Sequence, residues 1–159
     1  MRHTVKASAL ARETALEGGF DPEIVVRLLA EAGDDFPITL DDRLPFGINR
    51  LGMLGITLGR HVHLLHSSRR RDPYSLLLLI RHEAEHVRQQ REMPITFYVR
   101  YVASWLWGFL GPDRGRLRPP VTAPRWVRAY HAIGAEKEAR RAEAHFGARL
   151  TALSAEDLE

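Results

Sequence analysis

A chain of 159 residues with 45% apolar and 27% charged side chains can bury a hydrophobic core without staples, which excludes wholesale disorder. The lack of any cysteine excludes disulfides and thiolate-held metals, so a metal would have to be held by His, Asp or Glu. The formal net charge of +3 is unevenly divided: residues 1–60 carry 7 Lys/Arg against 9 Asp/Glu, and residues 61–159 carry 16 against 11.

Much of that basic excess sits in Arg69-Arg70-Arg71 and in Arg114, Arg116, Arg118, Arg125 and Arg128, clusters read here as a solvated face. They form no known nucleic-acid reader motif, and aromatic interleaving is confined to one apolar stretch, which argues against nucleic-acid binding. The N-terminus has Arg2 and Lys6 without an apolar run, so no signal peptide is expected. The most apolar stretch, Pro94 to Gly111, is broken by Arg100, and its uncharged part is too short for a bilayer span. A soluble, cytoplasmic, single domain over residues 1–159 is the expectation. Oligomeric state leaves no mark on the sequence.

In chain order, residues 1–20 are weakly patterned and read as a frayed helix. Asp21-Pro22 is an N-cap with Pro at the first helical position, Ile24, Val25, Leu28 and Leu29 make an apolar stripe, and Gly33 is a stop. Asp34 to Asn49 reads as loop with a short strand at Ile38–Leu40. Gly55 to Leu65 reads as one strand, with Ile56, Leu58, Val62 and Leu64 packed and Thr57, Gly59, His61 and His63 on the open face. Asp72-Pro73 repeats the cap signal and opens a helix to about Glu92 with core stripe Leu77, Ile80, Ala84 and Val87. Pro94 to Leu110 predicts an aromatic-rich helix (Phe97, Tyr98, Tyr101, Trp105, Trp107, Phe109), and residues 111–124 a Pro/Gly-rich excursion. A last helical region runs from Arg125 to about Leu150, bent near Gly134. The fold class predicted is α+β, mostly helical, with a small sheet flanking the helix of residues 73–92. Residues 94–111 either pack the core or dock peripherally on a membrane, with arginines at the headgroups.

The informative string is His82-Glu83-Ala84-Glu85-His86. Helical residues four apart are offset by about 40° and one turn, so both imidazoles can face one ion. Glu83 then lies close enough to take a proton from water activated by that ion, the chemistry an H-E-x-x-H helix supplies in metalloproteases. Composition alone predicts roughly 0.03 such matches in a chain of this make-up, so chance is a poor explanation. A catalytic zinc site needs three protein ligands and one open position. His131, Glu136, Glu138, Glu143 and His145 are the candidates for the third. His61, His63 and His66 could form a second metal site, although paired histidines on a strand are more often wet surface. Gln89 and Gln90 could orient a ligand from behind, and Glu85 is expected to face solvent.

The motif with a downstream E-x-x-A segment, Glu136-Lys137-Glu138-Ala139, is similar to the gluzincin class of zinc peptidases, which implies a zincin-like fold with Glu136 as third ligand and Glu138 as runner-up. Arg140 stands where that class carries Asp. The segment Ile56-Thr57-Leu58-Gly59-Arg60-His61-Val62, followed by Leu79 to Gln90, resembles the metallopeptidase-like core domain found with bacterial contractile injection systems. That resemblance covers residues 50–92 and the Glu136 segment. It implies a Zn²⁺ site of His82, His86 and Glu136, with Glu83 as general base in peptide-bond hydrolysis and Thr57, Gly59 and His61 on an edge strand that pairs with the peptide. Tyr130 or His131 is the expected donor to the developing oxyanion. The alternative is a catalytically silent, metal-stabilised binding or assembly module of a bacterial protein complex.

Overall fold

The computed structural model describes residues 3–46, 53–110, 129 and 133–156, with backbone alone at 108, 109 and 154–156. The architecture is α+β and mostly helical. A four-stranded mixed sheet is built from β1 (His3–Lys6), β2 (Pro37–Asp41), β3 (Gly55–Leu58) and β4 (His61–Leu65). The helices are α1 (Ala7–Gly18), α2 (Pro22–Ala30), α3 (Pro73–Glu92), α4 (Thr96–Leu110) and α5 (Gly134–Glu156). Sheet order is β1-β2-β4-β3, with β2 and β4 parallel and both outer pairs antiparallel, so β3 is an edge strand among the described residues.

Local signals explain the helix starts. The Asp21 carboxylate accepts hydrogen bonds from the Glu23 and Ile24 amides, and Asp72 accepts one from the Ser75 amide, each with Pro at the next position. The stripe Leu77, Ile80, Ala84 and Val87 is buried against Ile38, Leu40, Val62 and Leu64 of the sheet. Residues 3–18 are a strand and a helix rather than a frayed segment. Ala7, Leu10, Ala11 and Ala15 are fully buried, and small residues at this spacing give a weak hydrophobic pattern but close packing.

The expected single strand of residues 55–65 is a hairpin. Gly59 has φ of 63° at the first of two loop residues, as a type II′ turn requires, and Leu58 pairs with His61. The reversal changes which residues share a face. Thr57 lies opposite Val62 and Gly55 opposite Leu64, whereas Ile56 and Leu58 lie opposite His63 and His61. A two-residue turn breaks the period-two parity that a continuous strand would keep.

The face of α5 that carries Glu136, Ala139, Phe146 and Leu150 is buried, and α5 packs closely on α3. A Cβ on Gly147 would come within 2.6 Å of the Tyr74 hydroxyl, so glycine sets that approach. α4 divides its apolar content: Phe97 is buried, while Val99, Val102, Leu106, Trp107 and Leu110 are exposed. Among the described residues no helix is long and apolar enough to cross a membrane. The 111–124 excursion and the helical reading of 125–132 lie outside the described residues, Ala129 apart.

Candidate metal centre

His82 and His86 stand one turn apart on α3, with ring centroids 5.0 Å apart. Glu136, in the first turn of α5, is brought over them by the α3–α5 packing and is 1% exposed. Its Oε2 lies 3.4 Å from His82 Nε2 and its Oε1 3.3 Å from His86 Nε2. Among the described residues this is the one cluster of three ligand-type side chains close enough to share an ion. Glu138, the runner-up, is exposed and accepts a hydrogen bond from the Gln89 amide; His145 is exposed as well.

The far side of each ring is occupied. His82 Nδ1 lies 3.0 Å from Glu143 Oε2, and His86 Nδ1 lies 2.9 Å from Gln89 Oε1. Both partners accept, so each Nδ1 carries the proton and a neutral ring directs its Nε2 lone pair inward. Gln89 is held in turn by the Ala135 carbonyl and Glu138. This is the outer arrangement that orients metal-binding imidazoles. Glu143 lies two turns beyond Glu136 on the same face of α5. It supplies a carboxylate to a ligand ring although Arg140 stands at the position where gluzincins carry Asp.

Glu136 Oε2 is buried and has no hydrogen-bond partner among the described residues. A buried carboxylate oxygen is costly unless something satisfies it. A cation held between that oxygen and two inward lone pairs would satisfy it, so the donor set fits a metal. Without an ion, protons take its place. Burial works against charge on His82, but its contacts with Glu136 and Glu143 more than offset that and raise its pKa to about 9. Burial likewise opposes charge on His86, and Glu136 again raises its pKa. Burial raises the Glu136 pKa, yet the two imidazoles outweigh it and hold the carboxyl well below its ordinary range.

Glu83 sits on the sheet side of the same turn, 5% exposed, and Thr57 Oγ1 donates to its Oε2 at 2.7 Å. A Cβ on Gly55 would lie 2.7 Å from Glu83 Oε1 and 2.6 Å from a Leu64 methyl. Gly55 is therefore the residue that lets the Glu83 carboxylate lie against β3. Gly55→Ala should leave metal content unchanged and lower any hydrolytic turnover at least tenfold, because the added methyl meets the Glu83 carboxylate and a Leu64 methyl first. Metal analysis beside a cleavage assay checks this, and full activity in the variant would reject the positioning role.

A cavity of about 440 Å³ runs along β3 beside the triad, between Phe46 and Met53 on one side and Phe97, Tyr98 and Tyr101 of α4 on the other. Tyr101 Oη donates to Glu136 Oε1 at 3.0 Å. Nothing local in the sequence singles out Tyr101, because an aromatic on an apolar helix reads as core, and only the placement of α4 beside α5 brings it to Glu136. Tyr98 and Gln90 tie α3 and α4 to the hairpin through the Gly59 amide, and Gln90 also donates to the Thr57 carbonyl.

One expectation about the open strand face is corrected. His61 lies on β4, an interior strand, and its side chain is on the face opposite Thr57; its Nε2 is 2.6 Å from Thr39 Oγ1, so it does not line the cavity. His63 bonds Asp41 and His66 is exposed, and these histidines do not gather into a metal cluster. Gly59 lies in the turn beyond β3. Glu85 is buried, not solvent-facing, because Arg81 and Arg88 neutralise it. Tyr130 and His131 lie outside the described residues.

No family model matches the chain, and no curated protein or solved structure shows significant similarity to it.

Proposed function

We propose that this chain is a zinc-dependent peptide-bond hydrolase of the gluzincin type, close to the metallopeptidase-like core domains of contractile injection systems. The observation that carries the reading is Glu136 Oε2, a buried carboxylate oxygen without a hydrogen-bond partner among the described residues, facing two imidazoles whose other nitrogens are already engaged. Two imidazoles and one carboxylate, with no thiolate, are the ligand set of catalytic zinc with one position left for substrate or water. Bound there, zinc would polarise a carbonyl and acidify water.

The protein's own residues account for the remaining steps. Glu83 accepts the proton of the attacking water as the new C–O bond forms, then delivers it to the amine nitrogen as the C–N bond breaks. Thr57 holds Glu83 through one oxygen and leaves the other for that transfer. Tyr101 lines the cavity beside Glu136 and is assigned here as donor to the carbonyl oxygen, on which charge develops, its hydroxyl turning from Glu136 Oε1 to do so. Tyr98 is a weaker choice, since its hydroxyl both donates to Gln90 and accepts from the Gly59 amide.

The test is metal content of purified full-length protein together with cleavage of a mixed peptide library, with and without a chelator. Stoichiometric zinc and chelator-sensitive cleavage support the proposal. Zinc without cleavage would leave a metal-stabilised binding module, and absence of stoichiometric metal would reject both.

A further inference from the structure

The cavity beside the triad shows a second pattern in its walls. Among the described residues its lining carries no charged side chain apart from Glu83, His86 and Glu136 of the site, and its surface is predominantly apolar: Phe46, Met53, Ile56, Leu58 and Phe97. Against these apolar walls a charged ligand side chain would lose its hydration without gaining a partner.

Phe46 is the least expected of these residues. It is 85% exposed at the edge of the cavity, and its backbone φ is 59°. It is the one non-glycine residue with positive φ among those described. A bulky L-residue in that region is strained, at a cost that asparagine or glycine would avoid. Neither core packing nor a hydrogen bond explains an aromatic ring here, since the ring is open to solvent. An apolar ligand group closing on it would.

The third observation concerns the backbone of β3. Leu54 accepts a hydrogen bond from Leu65, so in this antiparallel pair Gly55 and Thr57 direct their backbone groups to the outer edge, along the cavity. The Thr57 carbonyl already takes the Gln90 amide. Gly55 and the Thr57 N–H remain turned toward whatever lies in the cavity, an edge suited to an extended segment.

We infer that the cavity binds an extended peptide segment through a large uncharged apolar side chain seated against Phe46, which fixes the substrate class of the proposed hydrolase. The inference rests on the cavity being the substrate cleft of that reading. About 440 Å³ holds one such side chain with its flanking backbone. Acidic and basic side chains are excluded by the same walls.

The experiment uses full-length Glu83→Gln protein loaded with zinc, so that binding is read without turnover. The probes are fluorescein-labelled Gly/Ala octapeptides carrying one central Phe, Leu, Asp or Lys, followed by fluorescence anisotropy. Phe and Leu peptides should bind at least tenfold more tightly than Asp and Lys peptides. Adding Phe46→Gly should abolish most of that preference without lowering Tm, because glycine relieves the positive φ. Equal binding of all four peptides, no binding, or a Phe46→Gly variant that loses Tm but keeps the preference would each overturn the inference. The two proposals fail separately. Library cleavage by the wild type without enrichment of large apolar residues would reject this inference and keep the hydrolase. Selective binding with no cleavage would do the reverse.

Discussion

Glu83→Gln should retain full metal content and lose about 10²- to 10⁴-fold in turnover, the range expected when a positioned general base is removed. The substitution is close to isosteric, and the retained carbonyl oxygen can still accept from Thr57 Oγ1, as Glu83 Oε2 does at 2.7 Å. The close approach to Gly55 is likewise preserved. What disappears is the capacity to take up a proton. The measurement is turnover of the cleaved library peptides beside zinc by elemental analysis. A variant with undiminished turnover would remove Glu83 from the mechanism. A variant that loses its zinc would show instead that Glu83 supports the ligands.

Glu136→Ala should abolish stoichiometric zinc, whereas Glu143→Ala should weaken affinity by about 10- to 100-fold, as expected for a group that only orients a ligand ring. The ordering follows from geometry: Glu136 faces both Nε2 atoms, and Glu143 bonds the far nitrogen of one ring. Proton release gives an independent reading. His82 in the metal-free protein has a pKa raised to about 9, so at neutral pH zinc must displace its proton. Apparent affinity should therefore climb as pH rises toward 9, by up to tenfold per unit for each proton lost. Calorimetry in two buffers of different ionisation enthalpy measures that number directly. The linkage runs the opposite way for the stability of the metal-free protein. Because the folded pKa is raised above the unfolded value, the contribution of protonated His82 is full below about 6.5 and fades as pH rises through about 9. Metal binding independent of pH from 6 to 9 would contradict the arrangement.

These predictions draw on features of different legibility. The caps at Asp21 and Asp72 are readable because an N-cap and its proline act within three residues, and the i, i+4 histidines are readable because helix geometry alone makes them neighbours. The core stripe of α3 is readable for the same reason. The 55–65 segment shows the limit of local pattern. Its hydrophobic alternation is compatible with one strand or with a hairpin, and the left-handed conformation of Gly59 decides between them without altering any neighbouring residue type.

The candidate metal centre divides along the same line. His82, Glu83 and His86 form a motif because one helical turn carries all three, so sequence reasoning reached them and the resemblance attached a chemistry. For Glu136 the resemblance supplied an alignment, but the choice over Glu138 comes from the packing of α5 on α3, which buries one carboxylate and exposes the other. Glu143, Tyr101 and Phe46 have no local signature at all. A carboxylate two turns along a helix, a tyrosine on an apolar helix and a phenylalanine in a loop acquire roles only when separate elements converge. Chain-local periodicity encodes what lies within a turn of helix or a pair of strand residues. Contacts between residues 35 to 61 positions apart depend on how the faces pack, and that information resides in three dimensions.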